Sequence, residues 1–349
     1  MKKSITIYDI ANESNVSPST VSRVLTGNER VKPETKRKVL EVIEKYNFRP
    51  NSLARSLLYK QSKMIGIILP DINHPFFSML VQKMEAKALE LGYTTFLCNS
   101  MNDPENESTY LQTLLDKQVD GILFLGGRIN EVDSNEIYVA EMNNTMEQVP
   151  VVFVNGRMDN VNAHIVKTDE SAGMYEIIDL LWNFKHRKIA FLGGLKGVSS
   201  RKIKLEAFHD AMTRHSLEIN DDWILDGDFD IESGEELAKQ LLYMKDCPTA
   251  IVCVNDFVAI GVIRTLQQFD IRIPDDISVI GFDDIYLAKY FPPGITSVTQ
   301  NYNQLGAKAV ETLVELINGK RPEKEWTIPT KLVVRGSSKM VQNDKSVDN

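Results

Sequence analysis

Between Tyr8 and Arg30 the chain gathers hydrogen-bond donors: Tyr8, Ser17, Ser19, Ser22, Arg23, Asn28 and Arg30. A guanidinium presents a fork of donors that matches paired acceptors, such as O6 and N7 of guanine. Hydroxyls, an amide and the backbone N–H groups at a helix start suit single phosphate oxygens. Catalytic spacing is missing from the rest of the chain. The histidines, His74, His164, His186, His209 and His215, form no HExxH pair, and no GxSxG, Walker A or GxGxxG run occurs. Cys98, Cys247 and Cys253 lack CxxC spacing, so neither a disulfide framework nor a zinc site is expected, and they read as buried thiols in a reducing cytoplasm. No metal, cofactor or enzymatic activity is expected.

The elements that would hold the donors follow from local chemistry. Thr6 is an N-cap with Asp9 three residues on, and Ile7, Ile10 and Ala11 share one face of a helix that runs to about Ser14. Asn15 tolerates a left-handed turn, and Ser17 caps a second helix with Pro18 at its first position, where no backbone donor is lost. Val16 and Val21 stand where a hydrophobic staple needs them. Pro33 opens a third helix with Val39, Ile43 and Tyr46 facing inward at i, i+4 and i+7, and Pro50 prevents its continuation. Three short amphipathic helices, the first two joined by a three-residue turn, spell a helix-turn-helix. The second helix of that motif reaches base edges with its first residues, which places Pro18, Ser19 and Arg23 at the specificity positions.

Charge is divided in a way that suits this reading. The 349 residues carry a net −8, yet residues 1–63 hold thirteen Lys and Arg against six Asp and Glu, a net +7, leaving −15 on the remainder. A basic head on an acidic body confines attraction for phosphates to one end. No apolar run approaches the length of a membrane span, and Lys2-Lys3 leads into a capped helix instead of a signal-peptide core. A soluble, cytoplasmic protein of two or three domains is expected.

Beyond Met64 short apolar runs alternate with amphipathic stretches, as in a parallel sheet covered by helices. Strands are expected at Met64 to Leu69, Thr94 to Cys98, Gly121 to Leu125 and Val151 to Val154, then in a second series near Ile165 to Thr168, Ile189 to Gly193, Ala250 to Val254 and Val279 to Phe282. Two successive α/β series imply two lobes, with a ligand crevice at the carboxyl ends of their strands. Gly193-Gly194 reads as a strand-to-helix turn in which glycine serves backbone geometry.

Thr6-Ile-Tyr-Asp-Ile-Ala11, Val16-Ser-Pro-Ser-Thr-Val-Ser-Arg-Val-Leu25 and Arg49-Pro-Asn-Ser-Leu-Ala-Arg-Ser-Leu57 resemble the LacI/GalR family of bacterial transcription regulators. The likeness continues through Asn73-His-Pro-Phe-Phe77, Val119-Asp-Gly-Ile122, Asn255-Asp256, Val279-Ile-Gly-Phe-Asp283 and Leu332-Val-Val-Arg335, and so covers nearly the whole chain. It implies an α/β fold: a helix-turn-helix headpiece over 1–50, a hinge helix over 51–60, and a two-lobed effector domain of the periplasmic-binding-protein type I over 64–340. Lobe 1 would comprise about 64–158 and 297–318, and lobe 2 about 163–285 and 329–340. The chain would cross between lobes near Gly156 to Asn162, Ile285 to Ser297 and Asn318 to Pro329.

The resemblance also implies partners. The headpiece of a homodimer would bind pseudopalindromic double-stranded operator DNA, with phosphate contacts from Tyr8, Ser17, Ser22, Asn28 and Arg30. The hinge, with Asn51, Ala54, Arg55 and Leu57, would fold in the minor groove with Leu57 wedged between base steps. Effector-binding positions fall at Phe76, Phe77, Ser200, Lys204, Phe229, Asn255 and Asp283, an aromatic and polar set that suits a small sugar or sugar phosphate. Lys204 stands where many relatives have arginine, which keeps the charge and loses the fork. The expected function is a repressor of carbohydrate uptake or catabolic genes. In the alternative, a catabolite-control-type regulator, a phosphoprotein corepressor would dock through positions occupied here by Asn303, Gln304 and Glu311, where a carboxylate would repel a phosphoserine. A plain solute-binding protein is disfavoured by the basic head.

Overall fold

The computed structural model describes residues 5–25, 30–48 and 61–341, and the chain divides into two compact units, 1–63 and 64–349. The first unit contains α1 (Ile7–Glu13), α2 (Pro18–Leu25) and α3 (Pro33–Lys45). Thr6 and Asp9 close α1 with a reciprocal capping box, the Thr6 N–H donating to Asp9 Oδ2 at 2.8 Å. Asn15 takes φ +54°, and Ser17 Oγ accepts from Thr20 N at 3.3 Å as α2 begins. Ile10, Ala11, Val21, Val24 and Val39 form the buried core, with Val16 packed on it. Tyr46 departs from the expected inward face: α3 ends at Lys45, so the ring leaves the helical path and stays exposed, while Val42, Ile43 and Phe48 pack on the core. Asn28, Asn51, Ala54, Arg55, Leu57 and the expected hinge over 51–60 lie outside the described residues.

The second unit is built on two parallel sheets. The first, six strands wide, contains β1 (Met64–Leu69), β2 (Thr94–Asn99), β3 (Gly121–Leu125), β4 (Val151–Val154), β5 (His164–Thr168) and β11 (Glu325–Ile328), in the order β11-β5-β4-β3-β1-β2. The second contains β6 (Ile189–Leu192), β7 (Ile224–Leu225), β8 (Ala250–Cys253) and β9 (Ser278–Ile280), in the order β7-β6-β8-β9. A separate antiparallel pair joins β10 (Ser297–Thr299) to β12 (Lys331–Val333). The fully buried runs of β1, β3 and β4 are what a sheet covered on both faces requires. On one face lie α4 (Pro75–Glu90) and α12 (Tyr302–Ile317), and a separate core cluster holds α5 (Pro104–Asp116) and α6 (Glu136–Gln148). The second sheet packs with α7 (Glu170–Asn183), α8 (Ser199–Arg214), α9 (Ile231–Leu242) and α10 (Asp256–Gln268), followed by the short α11 (Tyr286–Tyr290).

The lobe boundaries differ from the expected ones. β5, placed in the second series by its position in the sequence, pairs with β4 and β11 in the first sheet. Residues 155–163, where the family resemblance implies a passage between lobes near Gly156 to Asn162, form a short crossover between neighbouring strands of one sheet. The chain changes lobe at Asp169, between β5 and α7; at Gln300–Asn301, between β10 and α12; and at Pro329–Thr330, between β11 and β12. The short strands β7, β10, β11 and β12 stand outside the expected series, and none is a fully buried apolar run like that of β4. Cys247, expected to be buried, is exposed after α9, whereas burial pushes the Cys98 thiol up to about 11.

Two features fix the elements around the crevice. Gly234 and Gly261 let α9 and α10 touch backbone to backbone: a Cβ on Gly261 would stand 2.0 Å from the Ile231 carbonyl oxygen, and one on Gly234 would stand 2.3 Å from that of Val258. Arg128, fully buried, donates from Nε to Glu107 at 2.6 Å and from Nη2 to Ser108 at 2.9 Å, also pairs with Glu141, and stacks 4.1 Å from the Tyr138 ring. Burial pushes the Glu107 carboxyl above its usual range against the pull of Arg128. Removing one partner of a buried ion pair leaves the other desolvated and uncompensated. Arg128→Met should therefore lower unfolding stability by about 3–5 kcal/mol in urea titration, with a second change, Glu107→Gln, recovering part of the loss. A loss under about 0.5 kcal/mol would show that water reaches the pair.

Candidate functional site

In the headpiece, Val21 and Val24 turn into the core, so the opposite side of α2 meets solvent. Ser17, Ser19 and Arg23 are exposed there, Pro18 and Ser22 are half-buried, and Tyr8 and Arg30 are exposed on neighbouring segments. Ser17 Oγ lies 2.8 Å from Ser19 Oγ and 2.9 Å from Thr20 Oγ1, which ties the hydroxyls into a cluster at the start of α2. The surface combines a guanidinium, hydroxyls and a phenol on one small, rigid unit.

In the second unit the expected effector residues converge from both lobes, with Ser200 set one turn before Lys204 on α8. Phe76 and Phe77 open α4 and meet edge to face at 5.1 Å, and Phe76 lies 5.8 Å from the Tyr302 ring. Asn255 caps α10: its Oδ1 accepts from Val258 N at 2.9 Å, and its Nδ2 is 2.8 Å from the Phe229 carbonyl and 3.2 Å from His74 Nε2. Both polar atoms of its side chain are thus committed to protein. Lys204 is buried, with Nζ 3.1 Å from Glu170, 3.2 Å from the Val254 carbonyl and 4.2 Å from the Phe282 ring centre. Its charge is already neutralised by a carboxylate. Asp283, at φ +98°, accepts from Gln300 Nε2 at 2.9 Å through one carboxylate oxygen, and its carbonyl accepts from Tyr302 at 2.8 Å. Asp256 beneath it accepts from Ile285 N at 2.8 Å, and complete burial pushes its carboxyl well above the usual range.

Several residues in this network carry no signal at the level of motif. Gln300, buried, donates to Glu170 at 3.1 Å and to Asp283, and accepts from Thr168 Oγ1. Thr330 Oγ1 donates to the Asp169 carbonyl at 2.8 Å. The second and third lobe crossings are therefore each hydrogen-bonded to the first, which is also bonded to Lys204. A cavity of about 490 Å³ adjoins this network at the ends of β4 and β5 and the first turns of α8. Asn155, Thr168, Glu170, Ser199, Lys202 and Glu206 are among its lining residues, and none of the seven expected effector residues is. At its rim the lobes share a backbone link, Val132 N donating to the Gly197 carbonyl at 2.9 Å. Asn155 and Thr168 could have been suspected from their place just after or at the end of parallel strands, where α/β crevices form.

Among the described residues no group of three His, Cys, Asp or Glu could hold a metal, and no helix is long and apolar enough to cross a membrane. Residues 6–51 match the model of the bacterial regulatory proteins of the lacI family, and residues 178–338 match a periplasmic binding protein-like domain. The chain is 34% identical over 335 residues to the HTH-type transcriptional repressor PurR of Photobacterium profundum, covering 96% of this chain and 98% of that one. It is also 34% identical over 337 residues to catabolite control protein A of Staphylococcus epidermidis, covering 96% and 99%. Its fold is similar to that of the lac repressor dimer bound to operator and the anti-inducer ONPF, with a TM-score of 0.86 at 27% identity over 96% of this chain and 99% of that one. With a helix-turn-helix headpiece and a two-lobed periplasmic-binding-protein-like domain, the chain belongs to the LacI family of DNA-binding transcriptional repressors.

Proposed function

We propose that this repressor controls genes of carbohydrate uptake or catabolism in the cytoplasm and that its effector is a neutral, hydroxyl-rich sugar bound between the lobes. The observation that carries this reading is the state of Lys204, whose ammonium is buried and held by Glu170. A phosphate or carboxylate entering there would have to displace that partner and approach Asp283 as well, at a steep cost in low dielectric. A sugar hydroxyl needs only single donors and acceptors, which Asp283, Glu170, Asn155 and Thr168 offer, while Phe76, Phe77 and Phe229 supply apolar faces. Ser200 lies on the same stretch of α8 as the cavity-lining Ser199.

Operator contacts are assigned to Pro18, Ser19 and Arg23 for bases and to Tyr8, Ser17, Ser22 and Arg30 for phosphates, which is supported by the exposure of Tyr8, Ser17, Ser19, Arg23 and Arg30, while Pro18 and Ser22 are half-buried. Asn28, Asn51, Ala54, Arg55 and Leu57 complete the assignment from the family pattern. A homodimer is supported by the edge strand β2, where Phe96 and Leu97 are exposed together with the nearby Leu89 and Met101, an apolar strip suited to a second copy. The phosphoprotein-corepressor alternative is weaker. Asn303 and Gln304 are exposed but uncharged, and Glu311 is already paired with Lys87 at 3.0 Å and Lys308 at 3.6 Å.

Two measurements test the proposal. With an operator selected from a random DNA library, Arg23→Ala should weaken binding by about 1–3 kcal/mol and relax preference at one base pair of each half-site. Equal weakening on all sequences would make Arg23 a phosphate contact instead. In thermal-shift assays D-ribose or cellobiose should raise the melting temperature, and Asp283→Ala should remove that shift while leaving DNA binding intact. Stabilisation by flat, hydroxyl-free hypoxanthine but by neither sugar would overturn the carbohydrate reading.

A further inference from the structure

The contact between His74 and Asn255 joins the two lobes, since His74 precedes α4 on the first sheet and Asn255 precedes α10 on the second. Its chemistry is fixed by Asn255. Only the amide oxygen can accept from Val258 N, so Nδ2 must be the atom facing both the Phe229 carbonyl and His74 Nε2. An –NH2 group with no lone pair to share offers donors only. His74 Nε2 must therefore accept, which makes the imidazole neutral with its proton on Nδ1. That Nδ1 is buried and has no hydrogen-bond partner among the described residues. His186 differs: its Nδ1 meets Thr249 Oγ1 at 2.9 Å and its Nε2 meets the Lys339 carbonyl at 3.0 Å.

Neither alternative state of His74 fits the contact. Moving the proton to Nε2, or adding a second proton, sets N–H against N–H2 across the lobes. We infer that His74 is a proton-gated latch between the lobes: the closed cleft is favoured while Nε2 is unprotonated, and protonation opens it. The rings of Phe77 and Phe257, at 5.8 and 5.1 Å, pack on the imidazole and keep water from it. Among the charged groups that face it, Asp283 and Asp71 favour the imidazolium and Lys204 opposes it, while burial, the largest influence, holds the group below its ordinary value. The sign follows. A histidine whose affinity for protons is lowered on closure contributes its full stabilisation to the closed form above the ordinary imidazole value of 6.5 and loses it as pH falls toward the lowered value. The inference rests on the two-lobed geometry and not on the identity of the effector.

The full-length protein labelled with ¹⁵N-histidine provides the test. At pH 8 the His74 resonances should report the Nδ1–H tautomer, and X-ray scattering should show the radius of gyration rising as pH falls from 8 to 5.5. His74→Phe should remove that pH-dependent expansion. In Asn255→Asp, a carboxylate replaces the facing donor, so His74 should titrate above 6.5 and the sign of the expansion should reverse. An Nε2–H tautomer in the unaltered protein at pH 8 would overturn the latch, as would an expansion that persists unchanged in His74→Phe. Should Asn255→Asp not fold, the tautomer and the His74→Phe comparison still decide.

Discussion

The carboxamide of Gln300 is the interaction on which the two-lobed unit depends. It lies at one of three places where the chain passes between lobes, and it accepts from Thr168 and donates to Glu170 and Asp283. Thr168 and Glu170 flank the first passage, Gln300 belongs to the second, and Thr330 at the third is bonded to Asp169. A buried amide has two donors and an acceptor, and leaving any one unmade costs about 1–3 kcal/mol, so the three passages are constrained to move together.

The same node connects the crevice to the crossing segments between the lobes. Lys204 reaches Glu170, Glu170 reaches Gln300, and Gln300 reaches Asp283, so a ligand that alters any of these contacts acts on the crossing segments directly. Electrostatics limits what that ligand can be. The buried Lys204 ammonium already faces Glu170, and Gln300 joins Glu170 to Asp283, so two carboxylates stand at this point of the crevice. Additional negative charge would be repelled, whereas hydroxyl groups can exchange hydrogen bonds one for one with water and side chains. The rim link between Val132 and Gly197 and the His74–Asn255 contact are further bonds that span the two lobes.

What was legible in the sequence follows from how local the information is. β1, β3 and β4 announce themselves because every residue of a strand covered on both faces is apolar, and the caps at Thr6 and Ser17 are written within three residues. The convergence of Phe76, Lys204, Asn255 and Asp283 was available only through family resemblance. Their actual bonding was not, because it depends on which partner claims each atom: Asn255 is spent on its helix cap, and Lys204 on Glu170. Gln300 and Thr168 were missed because residues more than a hundred positions apart meet at the crossings, and neither sits in a motif. The strand pattern groups β5 with the second series, and the first sheet holds it, because such a pattern gives order along the chain and says nothing about which sheet a strand joins. Tyr46 and Cys247 were expected inside because periodicity and residue type carry no knowledge of where a helix stops or a loop turns outward.

The central claim is that the crevice and the headpiece share one equilibrium, in which ligand binding and DNA binding bias the same lobe arrangement. Linkage then demands that operator DNA change the ligand affinity by the same factor by which ligand changes the operator affinity. Calorimetric titration of the stabilising sugar into the full-length protein, with and without operator, tests this directly. The account predicts two different dissociation constants, tighter without DNA for an inducer and tighter with DNA for a corepressor, whose ratio equals the change in operator affinity measured with and without sugar. Identical constants would contradict it, because the crevice would then bind ligand without controlling the headpiece.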